Sequence, residues 1–172
     1  MVTLDAAELA AGADGPSTRR YTPDDLTWAD DLLQRSCGRM RIRRGAIIDA
    51  AVLPGIVSLS GGVRNGLVTV MGHNEELELV AIAGEVGDPG LPQRLLQAAI
   101  DGARPDCRRI WTVCHNAEFS TQRMLQEHGF RLCAARPGAW ETTRGRLGAG
   151  RLPERLDGVP IRDEFEYDLV LR

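Results

Sequence analysis

Lysine is absent from the chain, and every basic residue is an arginine. That excludes lysine chemistry, whether a Schiff base or an ammonium clamp on a phosphate. Aromatic residues make up only 5% of the sequence. This is too few for a stacking platform on single-stranded nucleic acid, and Trp28, Trp111 and Trp140 read as core or rim packing. A net charge of −3 gives no basic field for a nucleic-acid backbone. The four cysteines, Cys37, Cys107, Cys114 and Cys133, form no CxxC pair, and no His/Cys spacing matches a zinc site. They read as small buried hydrophobes in a reducing cytoplasm. No stretch approaches the ~20 apolar residues that span a bilayer. Residues 1–16 are acidic and lack the apolar centre of a secretion signal. The expectation is a cytoplasmic protein without nucleic acid, membrane or metal as partner.

What is present is ordinary for a folded domain: 172 residues, 43% apolar and 26% charged. Residues 1–16 read as a loose extension and 17–172 as one domain. STRRY (17–21) is a short strand. Thr22, Pro23, Asp24 and Asp25 open a helix over 22–37, with Leu26, Ala29, Leu32 and Leu33 on its apolar face. The segment 39–55 starts basic and turns apolar. It predicts a second short helix near 45–52, ending before Pro54, with the arginines of 39–44 on a solvated helix face. IVSLSG (56–61), GLVTVMG (66–72) and ELELVAIAG (76–84) form an antiparallel three-strand meander. A helix over 91–103 and a strand over 108–114 follow, the strand expected parallel to 76–84. Asn116 caps a helix that ends at Gly129, and strands over 130–136 and 164–172 finish the sheet. Residues 137–160 read as a long surface loop with one helical turn, placed over a substrate site or at a homodimer contact.

Between the third meander strand and its helix lies EVGDPGLPQRLL (85–96). Glycines in such a turn let backbone approach a pyrophosphate, and the first N–H groups of the helix, with its dipole, stabilise the negative charge. Arg94 adds a planar, bidentate partner for phosphate. Pro92 contributes no N–H, and Asp88 brings a like charge to the same place.

The order of elements, with this turn after the third meander strand, resembles the GNAT superfamily of acyl-CoA-dependent N-acetyltransferases. The resemblance covers about 17–172 and is most specific over 76–136, in ELELVAIAG, GDPGLPQRLL and NAEFSTQRMLQEHGFRL. The tail GVPIRDEFEYDL (158–169) resembles the corresponding strand region of bacterial members. It implies a GNAT-like α/β fold, a central mixed β-sheet flanked by helices on both faces. It also implies acetyl-CoA, or another acyl-CoA, as cosubstrate and a small-molecule amine as acceptor. Gly87, Asp88, Gly90, Leu91, Gln93 and Arg94 would then meet the pyrophosphate. Val80, Ala81, Ile82 and Ala83 would hold the thioester through their main chain, and Asn116 would complete the cofactor site. Two departures stand out. The family's Gln/Arg-x-x-Gly-x-Gly/Ala turn has Gly87 and Pro92 at its first and last positions, and the tyrosine that often protonates the thiolate is replaced by Leu125.

Three residues are candidates for the chemistry. Glu78 is either a general base for the amine or a solvent-facing strand glutamate. Cys114 and His115, at the end of a strand, are either a thiol and a proton carrier or a core cysteine and a loop histidine. Two further readings stay open: a non-catalytic or repurposed GNAT-like module that binds a metabolite or a partner protein, and the same fold recruited to an unrelated reaction.

Overall fold

The computed structural model describes residues 16–147 and 152–171. The expected extension over 1–16 thus lies outside the described residues, apart from Pro16. In chain order the elements are β1 (Ser17–Arg20), a 3-10 turn (Pro23–Asp25), α1 (Leu26–Ser36), β2 (Met40–Arg43), β3 (Ala46–Asp49), a 3-10 turn (Ala50–Val52), β4 (Gly55–Ser60), β5 (Val63–His73), β6 (Glu76–Gly84) and α2 (Leu91–Asp101). Then come β7 (Arg109–His115), α3 (Phe119–Glu127), β8 (Arg131–Arg136), α4 (Ala139–Leu147), β9 (Arg155–Leu156), β10 (Val159–Pro160) and β11 (Glu164–Val170). Seven strands follow the order β1-β4-β5-β6-β7-β11-β8 in a mixed sheet flanked by four α-helices. The expected α/β class and the meander are therefore present.

The chain divides into two compact units. The first contains β1, α1, the meander β4-β5-β6 and α2. Its strands pair antiparallel throughout, β1 on β4, β4 on β5 and β5 on β6. Ala29, Leu32 and Leu33 of α1 are buried, as are Leu91, Leu95, Leu96 and Ala99 of α2. A fully buried leucine contributes about 1.5–3 kcal/mol, so the two amphipathic faces hold the helices in place. Leu26, expected on the buried face, is exposed because it begins α1 just after the 3-10 turn.

Two glycines set the seat of α2. Gly66 of β5 and Gly84 of β6 are cross-strand partners. A Cβ on Gly84 would lie 2.7 Å from Leu91, and one on Gly66 would lie 2.9 Å from Leu95. The bare backbone pair is a floor that lets the first turns of α2 approach the sheet closely.

The second unit comprises residues 42–48 and 111–170. Here β11 pairs antiparallel with β8. Gly129, at φ 84°, ends α3, and the Phe130 N–H returns to the Leu125 carbonyl. A small core joins Ile42, Ala117, Trp140 and Ile161.

Several expectations are corrected. Residues 40–49 form a hairpin, not a helix, because Arg44 and Gly45 take positive φ values of 51° and 80°, the two-residue turn that suits a right-twisted strand pair. The arginines of 39–44 are accordingly not a solvated helix face, and Arg43 is buried. Asn116 is not the cap of α3. Glu118 stands at that position, and the Asn116 side chain instead binds Pro160 O at 2.9 Å, Arg162 N at 2.9 Å and Asp163 N at 3.1 Å. The segment after β8 is more regular than a loop with one turn: it carries the nine-residue α4 and the β9-β10 pair. Cys133 is exposed and Cys37 half-buried, while Cys107 and Cys114 are buried as expected.

Candidate functional site

The turn after β6 is held by its own charges. The Asp88 carboxylate accepts the Gly90 N–H at 3.2 Å and ion-pairs with Arg94. The Asp88 carbonyl accepts the Leu91 N–H at 3.1 Å. Arg94 and, behind it, the Gly90 and Leu91 amides hold the Asp88 carboxyl below its usual value. An anion is thus already lodged where the N–H groups of α2 begin. A Cβ on Gly90 would sit 2.9 Å from the Arg94 guanidinium, so the bare glycine leaves that space to the arginine. The Leu91 side chain is packed on the glycine floor, so only its main chain serves the turn. Gly87 adopts φ 112° within the same turn.

Upstream, β6 carries a bulge. Leu79 pairs with Val70 and Ala81 with Thr69, which leaves Val80 as the extra residue. A bulge bends the strand and re-aims its polar groups, and such irregularities concentrate beside active sites. It falls at the start of the run 80–83. Two residues earlier, Glu78 is 1% exposed, with Oε2 3.3 Å from His73 Nε2. The solvent-facing reading of Glu78 is therefore corrected: this carboxylate is inside the protein. A buried carboxylate is costly to desolvate and is retained where it is paired or used.

In the second unit, Cys114 and His115 are successive residues of β7, and side chains alternate between faces along a strand. His115 Nδ1 accepts the Ala117 N–H at 3.3 Å, which leaves Nε2 as the protonated nitrogen of the neutral ring, 3.9 Å from Glu118 Oε1. Its ring meets Trp140 edge-on at 5.0 Å. Leu125 is fully buried, so α3 presents no phenol at this position. Tyr167 of β11 is the buried tyrosine of this unit, its hydroxyl 3.4 Å from Gln122 Oε1, and burial, with the nearby Cys114, raises its pKa.

Sequence reasoning missed a third cluster, that of Arg44, Trp111, Arg136, Glu164 and Glu166. Arg44 donates through Nε at 2.9 Å and Nη2 at 2.5 Å to Glu166, and its main-chain N–H reaches Glu164 Oε2 at 3.1 Å. The guanidinium lies 4.1 Å over the Trp111 ring, and Arg136 donates to Glu166 at 2.6 Å. The signal in the sequence was the alternating EFE of β11 facing an arginine-rich hairpin. Among the described residues, no group of three or more His, Cys, Asp and Glu is arranged to hold a metal ion, and no helix is long and apolar enough to cross a membrane.

No protein-family model and no curated protein matches the sequence. Solved structures do match along nearly the whole chain. A Bacillus subtilis acetyltransferase in complex with CoA is 18% identical, with TM-score 0.67, over 92% of this chain and 99% of that one. A GNAT family acetyltransferase from Elizabethkingia anophelis with acetyl-CoA bound is 16% identical, with TM-score 0.65, over 92% and 99%. The ribosomal-protein-S18-alanine N-acetyltransferase from Escherichia coli is 14% identical, with TM-score 0.65, over 90% and 93%. At these identities the likeness establishes architecture: the chain has the fold of the GNAT acetyltransferases.

Proposed function

We propose that the protein transfers an acetyl or other acyl group from acyl-CoA to a small-molecule amine. The observation that carries this reading is the turn at 85–91. Its Gly90 N–H and the Arg94 guanidinium hold an anionic group at the start of α2, and Asp88 is the internal occupant of that place. A pyrophosphate offers the same two donors more charge and more oxygens. Binding then consists of swapping Asp88 for the cofactor, with Arg94 changing partners.

The bulge at Val80 supports thioester binding by the main chain of residues 80–83, and buried Glu78 on the same strand is the general base in this reading. Cys114 and His115 have no assigned step. The thiolate leaves without a dedicated acid, since a free thiol has a pKa of only ~8.5. Orienting the amine for direct attack supplies a large part of the rate.

Calorimetric titration with CoA and acetyl-CoA tests the reading. Micromolar binding is expected, lost on Arg94→Ala and tightened about tenfold by Asp88→Ala, which removes the competing carboxylate. Absence of heat and of any thermal shift with either ligand overturns it. Leu125, buried at the position of the family's tyrosine, favours the second reading, a non-catalytic module that binds a metabolite or protein. That reading predicts no acyl transfer to any amine even when CoA binds.

A further inference from the structure

The carboxylates of Glu164 and Glu166 lie on one face of β11, and both are buried. Two such charges cannot be held in a protein interior without cations. Arg136, on the neighbouring strand β8, supplies one from within the sheet. The second comes from the tip of the β2-β3 hairpin, where Arg44 places its planar fork on Glu166 and its flat face on Trp111. An aromatic face beside two carboxylates is the chemistry that recognises a guanidinium.

Two observations set this arrangement apart from a closed structural network. Oε1 of Glu164 is buried and takes no hydrogen bond from any described residue, although Glu164 itself is only 1% exposed. A finished network satisfies every buried acceptor. Arg44, in contrast, has a side chain 43% exposed, so the cation stands at the mouth of the box and not at its base. Its hairpin is short, with strands of four residues each, and Met40 and Ile47 are exposed. Ile42 and Arg43 of β2 are buried, so the part that leaves the box is the exposed Arg44 side chain and not the hairpin.

We propose that Trp111, Glu164 and Glu166 form a recognition site for the guanidinium group of the amine acceptor, and that Arg44 is a resident mimic which the acceptor displaces. Oε1 of Glu164 is the oxygen that a ligand's guanidinium engages and that Arg44 leaves idle. The proposal rests on the acyltransferase reading for the nature of the acceptor. The box itself is tested without CoA, so the two can fail separately.

The probe is agmatine, a primary amine that carries a guanidinium, titrated calorimetrically into the full chain. The wild type is expected to bind weakly, because Arg44 fills the site most of the time. Arg44→Ala is expected to tighten binding about tenfold or more, since the competing state is removed. Adding Glu166→Gln to that variant should abolish the gain. Putrescine, which lacks the guanidinium, should bind Arg44→Ala much more weakly than agmatine does.

Should Arg44→Ala fail to fold, Arg44→Gln keeps the aliphatic stem and a polar end without the charge, stops short of Glu166 and serves in its place. A second readout is the melting temperature of the Arg44 variant in methylguanidinium chloride against sodium chloride. The organic cation should raise it in the variant and leave the wild type unchanged. Agmatine binding that is equal in wild type and folded variant, or absent from both, overturns the proposal. Equal binding of putrescine and agmatine overturns the guanidinium assignment.

Discussion

Glu78→Gln is expected to lower kcat/KM for acyl transfer by about a hundredfold or more, the usual worth of a positioned general base. The CoA affinity should not move, because the proposed reading assigns the pyrophosphate to α2 and its turn. The change keeps the shape of the side chain and removes a charge that is 1% exposed inside the first unit. A carboxylate retained against its desolvation cost for function lowers stability, so the melting temperature should hold or rise. A purely structural partner of His73, 3.3 Å away, gives the opposite result: a lower melting temperature with activity preserved. Steady-state kinetics with the fastest amine of a panel, beside a thermal melt, separates the two. Full activity in Glu78→Gln removes this residue from the mechanism.

The largest effect on stability is expected from Asp25→Ala. Its carboxylate is buried and takes two hydrogen bonds from Arg19, both at 2.7 Å, one from Arg64 at 3.1 Å, and two from Thr22, through the main-chain N–H at 3.0 Å and the hydroxyl at 3.1 Å. Removing it leaves two arginines and a helix start without their acceptor. Loss of one member of a buried pair costs about 3–5 kcal/mol. The arginines keep about a third of their side chains in water, which places the expectation near the lower end of that range. A melting temperature lower by about 10 °C follows.

The same residue makes a pH prediction. The Arg19 hydrogen bonds, acting against burial and helped by Thr22 and Arg64, hold the Asp25 carboxyl far below its ordinary value. A depressed folded pKa contributes stability that is fully present above the unfolded value of ~3.9 and is lost as pH falls toward the folded one. The gap in melting temperature between wild type and Asp25→Ala should therefore be constant from pH 5 to 8 and narrow below about pH 4. A gap that widens on acidification contradicts the assignment.

The sequence made the meander, both long helices and the glycine turn legible, because each carries a local period or a local breaker. The register of β5 on β6 follows from the apolar face it buries, and Gly129 stops α3 where the pattern ends. What stayed hidden depends on partners far along the chain. Asn116 looked like a cap because its neighbours are helical, yet its side chain binds residues 160, 162 and 163. The hairpin at 40–49 has no clean alternation of buried and exposed residues, since Met40 and Ile47 face outward while Arg43 is buried. Nothing local in the EFE of β11 shows that Glu164 and Glu166 are covered by an arginine 120 or more residues away. Glu78 had the same ambiguity: a glutamate between two leucines does not reveal which face is covered.

Asp88 has one further consequence. It is tethered six residues from Arg94, so its carboxylate is present at that guanidinium at an effective concentration of about millimolar or higher. Any anion from solution competes against this local supply. A free phosphate or sulfate, with one cluster of oxygens, offers little beyond what Asp88 already gives. A ligand that grips the turn and other parts of the protein at once gains enough to prevail. In the proposed reading the carboxylate acts as a threshold, favouring over the abundant small anions a larger molecule that holds on in several places.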